Sequence, residues 1–219
     1  MLLACQNLAA GRQRSAAIFH FGAAPSQHRA SSATDSTHPP EHPSAAPALA
    51  EVVKRAQAGE ERATTALIEL YQKRVAGYAF RLLCEPSAVD DVCQIIFLQM
   101  CRSLRSLREV ARFEPWLFRI ARNACYSHRR KERLRRLFTP LLPVHEAVIS
   151  AEAVPLSGEL AAVNEALKQL SLRDRELLAL CTQDYSYEQM AAITGLTVTN
   201  FKTRLFRARQ ALKRILSHE

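Results

Sequence analysis

Gly195 is the residue that leaves this chain the fewest choices. Within 184–209, DYSYEQMAAITGLTVTNFKTRLFRAR, it separates two runs that each open on a hydroxyl residue suited to capping a helix, Ser186 before the first and Thr197 before the second. Gln189, three residues after Ser186, completes a capping box. Met190, Ala191 and Thr194 follow at helical spacing, Gly195 supplies a residue that tolerates positive φ, and Leu196 fills the corner. Beyond Thr197, the residues Val198, Phe201, Leu205, Ala208 and Leu212 recur at three- and four-residue steps and make one stripe for burial. Two helices meeting at a tight glycine corner are a helix-turn-helix, whose second helix fits a DNA major groove.

Turning that second helix by its period of about 3.6 residues places Thr199, Asn200, Thr203, Phe206, Arg207 and Gln210 opposite the stripe, flanked by Lys202 and Arg204. Residues 199–214 carry six basic side chains and no acidic one, so the exposed face offers a positive field to a polyanion. The plainer alternative is a helical hairpin with a solvated basic face.

A length of 219 residues leaves room for one or two domains, and the formal charge of +9 points to an acidic partner. No run approaches the roughly 20 apolar residues that a spanning helix needs, so no membrane insertion is expected. The six cysteines show no CxxC pair and no His at metal-ligand spacing, which implies no metal or other cofactor and favours a reduced, cytoplasmic setting over a disulfide framework. Residues 1–34 contain no acid and are rich in Ala, Ser and Arg, superficially like a transit peptide, and Leu2-Leu3-Ala4-Cys5 faintly resembles a lipoprotein cleavage site. With no positive segment before Leu2 and a His/Pro/Ser/Ala tract over 26–47, residues 1–47 are expected to be a disordered extension, or the product of a start assigned too far upstream.

Further along, 49–57 reads as a short helix ended by Gly59, and 61–83 as a longer one with Ala66, Leu67, Leu70, Val75 and Tyr78 as core. A turn over 84–87 leads to a helix opened by Ser87, whose stripe is Val89, Val92, Cys93, Ile96, Phe97, Met100, Cys101 and Leu104. Its other side carries Ile95 and Leu98 beside Asp91, Gln94 and Arg102, an apolar pair rimmed by polar groups that suits partner docking. After a loop over 106–113, Pro115 stands at the first position of a helix over 116–133. Leu117, Ile120, Ala121, Ala124 and Cys125 face inward, whereas Trp116, Arg119, Arg122, Asn123, Tyr126, Arg130 and Arg133 face outward. Aromatic rings among guanidinium groups suit single-stranded nucleic acid, since rings stack on bases while Arg follows the backbone. Residues 101–140 hold twelve Arg or Lys against three Glu, an excess that matches the whole net charge. The alternative is that Trp116 and Tyr126 belong partly to the core and the Arg residues solvate the surface. Residues 137–156, with Pro140, Pro143 and Pro155, read as a linker. Beyond it come a helix with Leu160, Val163, Leu167 and Leu170 as its stripe and a helix over 172–182 capped by Ser171.

These segments are recognisable together. AQAGEERATTALIELY, DDVCQIIFLQM and FEPWLFRIARNACYSHRR resemble the second domain of bacterial RNA polymerase sigma factors of the extracytoplasmic-function group. LSLRDRELLALCTQDYSYEQMAAITGLTVTNFKTRLFRARQAL is similar to their fourth domain, and the likeness spans 49–216 apart from the linker. The resemblance implies an all-α chain of two small helical domains joined by a flexible linker, sigma domain 2 over 48–136 and the helix-turn-helix sigma domain 4 over 157–219, not fused into one core. It implies a promoter-specificity subunit that is not an enzyme. Its partners are then core RNA polymerase, promoter DNA and an anti-sigma protein. Asp91, Gln94, Ile95 and Leu98 fall on the family's polymerase-binding surface. Leu107, Arg108, Trp116, Arg119, Arg122, Asn123, Tyr126, Ser127 and Arg130 fall on the surface that takes the melted −10 strand, where a base is flipped out and captured. Thr199, Asn200, Lys202, Thr203, Phe206 and Arg207 fall on the helix that reads the −35 duplex, with Phe206 available to a thymine methyl. Ile95 stands where the family commonly has Glu, Leu107 where it often has Phe, Phe201 where it usually has Val, and Ser127 where it usually has Asp or Asn. The promoter sequence therefore does not transfer.

Two other classes compete. A conventional operator-binding regulator would use the same helix-turn-helix as a dimer on palindromic sites, but it leaves the Arg-Trp-Tyr face without a role. An enzyme would need a phosphate loop, metal set or nucleophile–base spacing that the sequence does not show.

Overall fold

The computed structural model describes residues 46–138, 158–183 and 185–217, and among these it holds eight α-helices and no strand. Of the expected extension over 1–47, residues 1–45 lie outside the described residues, while 46 and 47 already belong to a helix; of the linker over 137–156, residues 139–156 lie outside them and 137 and 138 are helical. Helix α1 (Ala46–Gln57) ends at Gly59, whose φ of 98° only glycine adopts freely. Helix α2 (Glu61–Leu83) is closed by Cys84 in the left-handed region at φ 55°, its N–H donating to the Phe80 carbonyl at 2.7 Å. The expected turn over 84–87 is thus shorter, because Pro86 already sits in the first turn of α3 (Pro86–Ser103), where its fixed φ is helical and its missing N–H costs no bond. Two single 3₁₀ turns, Leu104–Ser106 and Val110–Arg112, occupy the expected loop. The Gln57 amide holds this loop to α1 by donating to the carbonyls of Leu104 at 3.0 Å and Leu107 at 2.7 Å. Helix α4 (Phe113–Phe138) runs further at both ends than expected.

Helices α1–α4 pack around Leu67, Tyr71, Val75, Tyr78, Ile96, Met100, Phe113, Leu117 and Phe118, all essentially without solvent contact. Of the core residues expected on α2, Ala66 and Leu70 are exposed instead. Their neighbours Ala63, Leu67, Tyr71, Val75, Tyr78 and Leu82 define the buried face, and positions 66 and 70 fall behind it.

The second unit comprises α5 (Gly158–Gln169), α6 (Leu172–Leu180), α7 (Tyr187–Thr194) and α8 (Val198–Leu216). Ser171 caps α6 by accepting from the Asp174 N–H at 3.2 Å. On α5, burial falls on Asn164, Ala166 and Leu167, and just past its end on Leu170, whereas Val163 is exposed.

The expectation of separately cored domains is corrected at one point. Leu177, Leu180, Tyr185, Met190, Ile193, Phe201 and Leu205 form one continuous apolar cluster with the first unit, with α6 against α2 and α7 against α4. Phe118 is the hinge pin of that seam: its ring meets Tyr78 edge-on at 5.4 Å within the first unit and Tyr185 at 5.3 Å in the second. The reason is apolar area, since short helices α6 and α7 have buried residues on more sides than α8 can cover.

Phe118→Ala is expected to lower the unfolding free energy of the full chain by about 3–5 kcal/mol, and Leu70→Ala to change it by less than about 0.5 kcal/mol, both read from urea denaturation. Equal effects at the two positions would show that Phe118 does not hold this core together.

Candidate nucleic-acid interface

The corner between α7 and α8 is built almost wholly from local hydrogen bonds. Ser186 accepts from the Gln189 N–H at 3.3 Å, and the Gln189 side chain accepts from the Ser186 N–H at 2.9 Å, completing the expected capping box. Gly195 closes α7 at φ 72°, and the Leu196 N–H reaches back to the Ala191 carbonyl at 3.1 Å. Thr197 caps α8 by accepting from the Asn200 N–H at 3.3 Å. Phe201, Leu205 and Ala208 are buried on the expected stripe, while Val198 and Leu212 are half-buried.

That stripe leaves the other face of α8 in water. Thr199, Asn200, Lys202, Thr203, Phe206 and Arg207 are all exposed, and Phe206 shows 63% of its surface. A single exposed ring is ordinary on a protein surface, and here it stands among polar and basic side chains. Two of the six are already engaged locally. The Lys202 ammonium lies 4.8 Å from the centre of the Tyr187 ring, and the Thr203 hydroxyl donates to the Thr199 carbonyl at 3.0 Å.

The outward face of α4 is less open than expected. Arg119, Asn123, Ser127 and Arg130 are exposed, and so is Arg108 beyond the loop, where Leu107 is half-buried. Trp116 and Tyr126, expected to face outward, are half-buried against the core, with Trp116 stacked obliquely on Phe113 at 5.9 Å. Arg122 is the larger departure. Its Nε donates to Glu176 Oε1 on α6 at 2.5 Å, and the Tyr126 hydroxyl donates to Glu176 Oε2 at 2.7 Å. The Arg122 guanidinium also lies 4.7 Å from the Tyr126 ring centre. Glu176 is 3% exposed, so burial pushes its carboxyl up from the ordinary range while the bonds from Tyr126 and Arg122 pull it back.

Beside it, Arg175 is 5% exposed and donates through Nη1 to the carbonyls of Leu82 at 3.1 Å and Leu83 at 3.3 Å, which the end of α2 leaves without helical partners. Arg74 spans the same seam, bonded to Glu114 at 2.9 Å and Gln183 at 3.2 Å among the rings of Tyr71, Phe118 and Tyr185. Sequence reasoning missed Arg74, Arg175 and Glu176 altogether. The one available signal is that α6 has no polar stripe, so some of its charged residues must be buried.

On α3, Asp91 and Gln94 are exposed, Ile95 shows 43% of its surface and Leu98 is half-buried. The Cys93 thiol between them is pushed up to about 12 by burial, and burial raises Cys125 too, so both behave as packing groups. Among the described residues no helix is long and apolar enough to cross a membrane.

The description "Sigma-70 region 2" matches residues 67–135 of this chain, and "Sigma-70, region 4" matches residues 160–212. The RNA polymerase sigma-H factor of Pseudomonas aeruginosa is 30% identical over 179 residues, spanning 76% of this chain and 92% of that protein. The ECF RNA polymerase sigma-E factor of Escherichia coli is 32% identical over 179 residues, spanning 74% and 90%. Among solved structures, CnrH in complex with the cytosolic domain of CnrY is similar with a TM-score of 0.61 at 28% identity, over 78% of this chain and 99% of that one. The sigma factor RpoE in complex with the anti-sigma factor NepR, from Bartonella quintana, follows with a TM-score of 0.57 at 27% identity, over 69% and 95%.

At Gly195 an added Cβ meets nothing within 4 Å, so Gly195→Ala carries backbone strain without a clash. It is expected to cost about 1–2 kcal/mol in thermal denaturation, with Gly195→Asn costing less. A neutral Gly195→Ala would mean that the corner does not need its left-handed residue.

Proposed function

Because the chain belongs to the sigma-70 family, in its extracytoplasmic-function group, we propose that its two exposed faces divide the work of promoter recognition. It is a promoter-specificity subunit that binds core RNA polymerase, recognises promoter elements and helps open DNA to initiate transcription. In this reading the unit over 157–219 takes the intact −35 duplex and the unit over 48–136 takes the melted −10 strand, with 137–156 as tether. On α8, Lys202 and Arg207 hold phosphates, Thr199, Asn200 and Thr203 reach base edges, and Phe206 meets a thymine methyl. On the first unit, Trp116 and Tyr126 offer ring surface to unstacked bases. Arg108, Arg119, Arg122 and Arg130 follow the backbone, while Leu107, Asn123 and Ser127 line the place for a flipped base.

The single observation that carries the duplex half is the α8 face: six named side chains, all exposed, in a stretch without one acidic residue. Asp91, Gln94, Ile95 and Leu98 are the docking surface for the polymerase, supported by the exposure of Ile95. The chain acts in the cytoplasm and leaves catalysis to the polymerase. An anti-sigma protein as a further partner is supported by the similar solved structures, in which RpoE is held by NepR and CnrH by the cytosolic domain of CnrY.

Run-off transcription with purified core polymerase on genomic fragments tests the function. Discrete promoter-dependent transcripts are expected only when the chain is added, with weak binding of duplex promoter DNA by the chain alone. Tight duplex binding without polymerase, and no transcript with it, would favour the operator-binding alternative. Lys202→Ala is expected to weaken promoter binding by the holoenzyme across sequences and to reduce the salt slope by about 1. The double substitution of Ile95 and Leu98 by Ala is expected to weaken polymerase binding by about 1–2 kcal/mol, read by competition for core enzyme; unchanged binding would move the docking surface elsewhere.

A further inference from the structure

The loop between α3 and α4 carries Leu107 and Arg108, which the preceding reading gives to the melted strand. Leu104 anchors its start in the core, whereas Arg105, Ser106, Arg108 and Glu109 are exposed. Its two 3₁₀ turns are closed by local bonds, among them the Leu107 N–H to the Leu104 carbonyl at 3.1 Å and the Arg112 N–H to the Glu109 carbonyl at 2.9 Å. Short 3₁₀ turns have poor hydrogen-bond geometry and do not by themselves fix where a loop lies. Among the described residues, Gln57 at the end of α1 is the one side chain from another helix that hydrogen-bonds to this loop, and it does so twice. Both acceptors are backbone carbonyls, so the amide nitrogen faces them and each of its hydrogens serves one. The Leu107 carbonyl belongs to the peptide unit that joins Leu107 to Arg108. That unit is planar, so holding its oxygen at 2.7 Å fixes the plane from which both side chains depart. A Cβ added at Gly59 would meet the Arg105 guanidinium at 3.4 Å, so the loop lies close against the turn that follows α1.

We propose that Gln57 is a positioning residue for base capture: from α1, without touching DNA, it sets the Leu107–Arg108 peptide so that this pair meets the flipped base in one fixed geometry. The inference rests on the loop being part of the strand-binding surface. Gln57 is half-buried and the loop beside it is exposed, so a side chain without donors at this position leaves the two carbonyls to water rather than unsatisfied. The fold then loses little, and what is lost is the single setting of the loop. Base discrimination depends on that setting, because a wrong base is penalised only where the reading groups cannot shift to suit it. A loop free to adjust accepts several bases alike. Contacts to phosphates carry no sequence information, so they tolerate such movement. Position 57 therefore controls how strictly one base is chosen rather than how firmly the DNA is held.

The experiment uses holoenzyme assembled from core polymerase and the full chain, with a promoter that it transcribes and in which each base of the −10 and −35 elements is varied in turn. Competition run-off transcription measures the preference at every position. Gln57→Leu keeps the bulk and removes both donors. It is expected to flatten the preference at the captured −10 base about tenfold, the discrimination that one well-placed contact supplies, and to leave the −35 preferences and the melting temperature of the chain nearly unchanged. Gln57→Asn keeps both donors on a shorter side chain and should retain part of the preference; Gln57→Ala stands in should the leucine crowd the loop. Adding Leu107→Ala to Gln57→Leu should flatten the preference no further than Leu107→Ala alone, because Gln57 acts through that residue. Full −10 preference in both Gln57→Leu and Gln57→Ala overturns the proposal, as does an equal loss at −10 and −35, which marks a general loss of structure. Leu107→Ala and Arg108→Ala, each alone, test the premise in the same assay. If they flatten the −10 preference while the Gln57 variants do not, the loop still takes the strand and only its positioning is wrong; if they change nothing, the reading of the loop falls and the proposal with it.

Discussion

Two adjacent charged residues of α6 are taken out of water where the halves of the chain meet, and the packing of the whole molecule depends on how they are satisfied. A buried ion is tolerated only with partners, because removing one member of a buried pair leaves a charge whose desolvation costs about 3–5 kcal/mol. Arg175 finds the spare carbonyls at the end of α2, and Glu176 finds Arg122 and Tyr126 on α4. Neither set of partners exists within the second unit. The contact is therefore selective: α6 fits one place on the first unit, and a shift of a single helical turn would strand both charges.

Around this polar pair the seam is apolar and aromatic. Phe118 touches Tyr78 and Tyr185, and Arg74 lies among three rings while bonded to both units. An interface that mixes apolar contact with desolvated charge differs from the dry core of the first unit. Its apolar part favours closure, and its charged part makes closure specific without adding much to its strength.

The same balance is visible along α4. Its inner side, from Phe113 through Leu117, Phe118 and Ala121 to Cys125, builds the first core. Its outer side divides again, into a strip that stays in water at Arg119, Asn123 and Ser127 and a strip that α6 covers at Arg122 and Tyr126. Among the described residues no helix covers the α8 face in this way, and Thr199, Asn200, Lys202, Thr203, Phe206 and Arg207 are all exposed.

What the sequence by itself determined is whatever depends on residues three or four apart. The Ser186 capping box, the left-handed Gly195, the Thr197 cap and the α8 stripe of Phe201, Leu205 and Ala208 are bonds and burials between near neighbours in the chain, so the pattern that encodes them can be read directly. Where several neighbours compete, as on α2, the same periodicity left the buried face open to error, and Ala66 and Leu70 turned out to lie behind it. Tertiary structure alone decided that the two halves share a seam, that Arg122 and Tyr126 are taken, and that Arg175 and Glu176 are buried. Those partners lie 50 to 93 positions apart. Charged residues on a short helix ordinarily signal solvent, and only the far side of the fold supplies the carbonyls, guanidinium and phenol that make their burial possible.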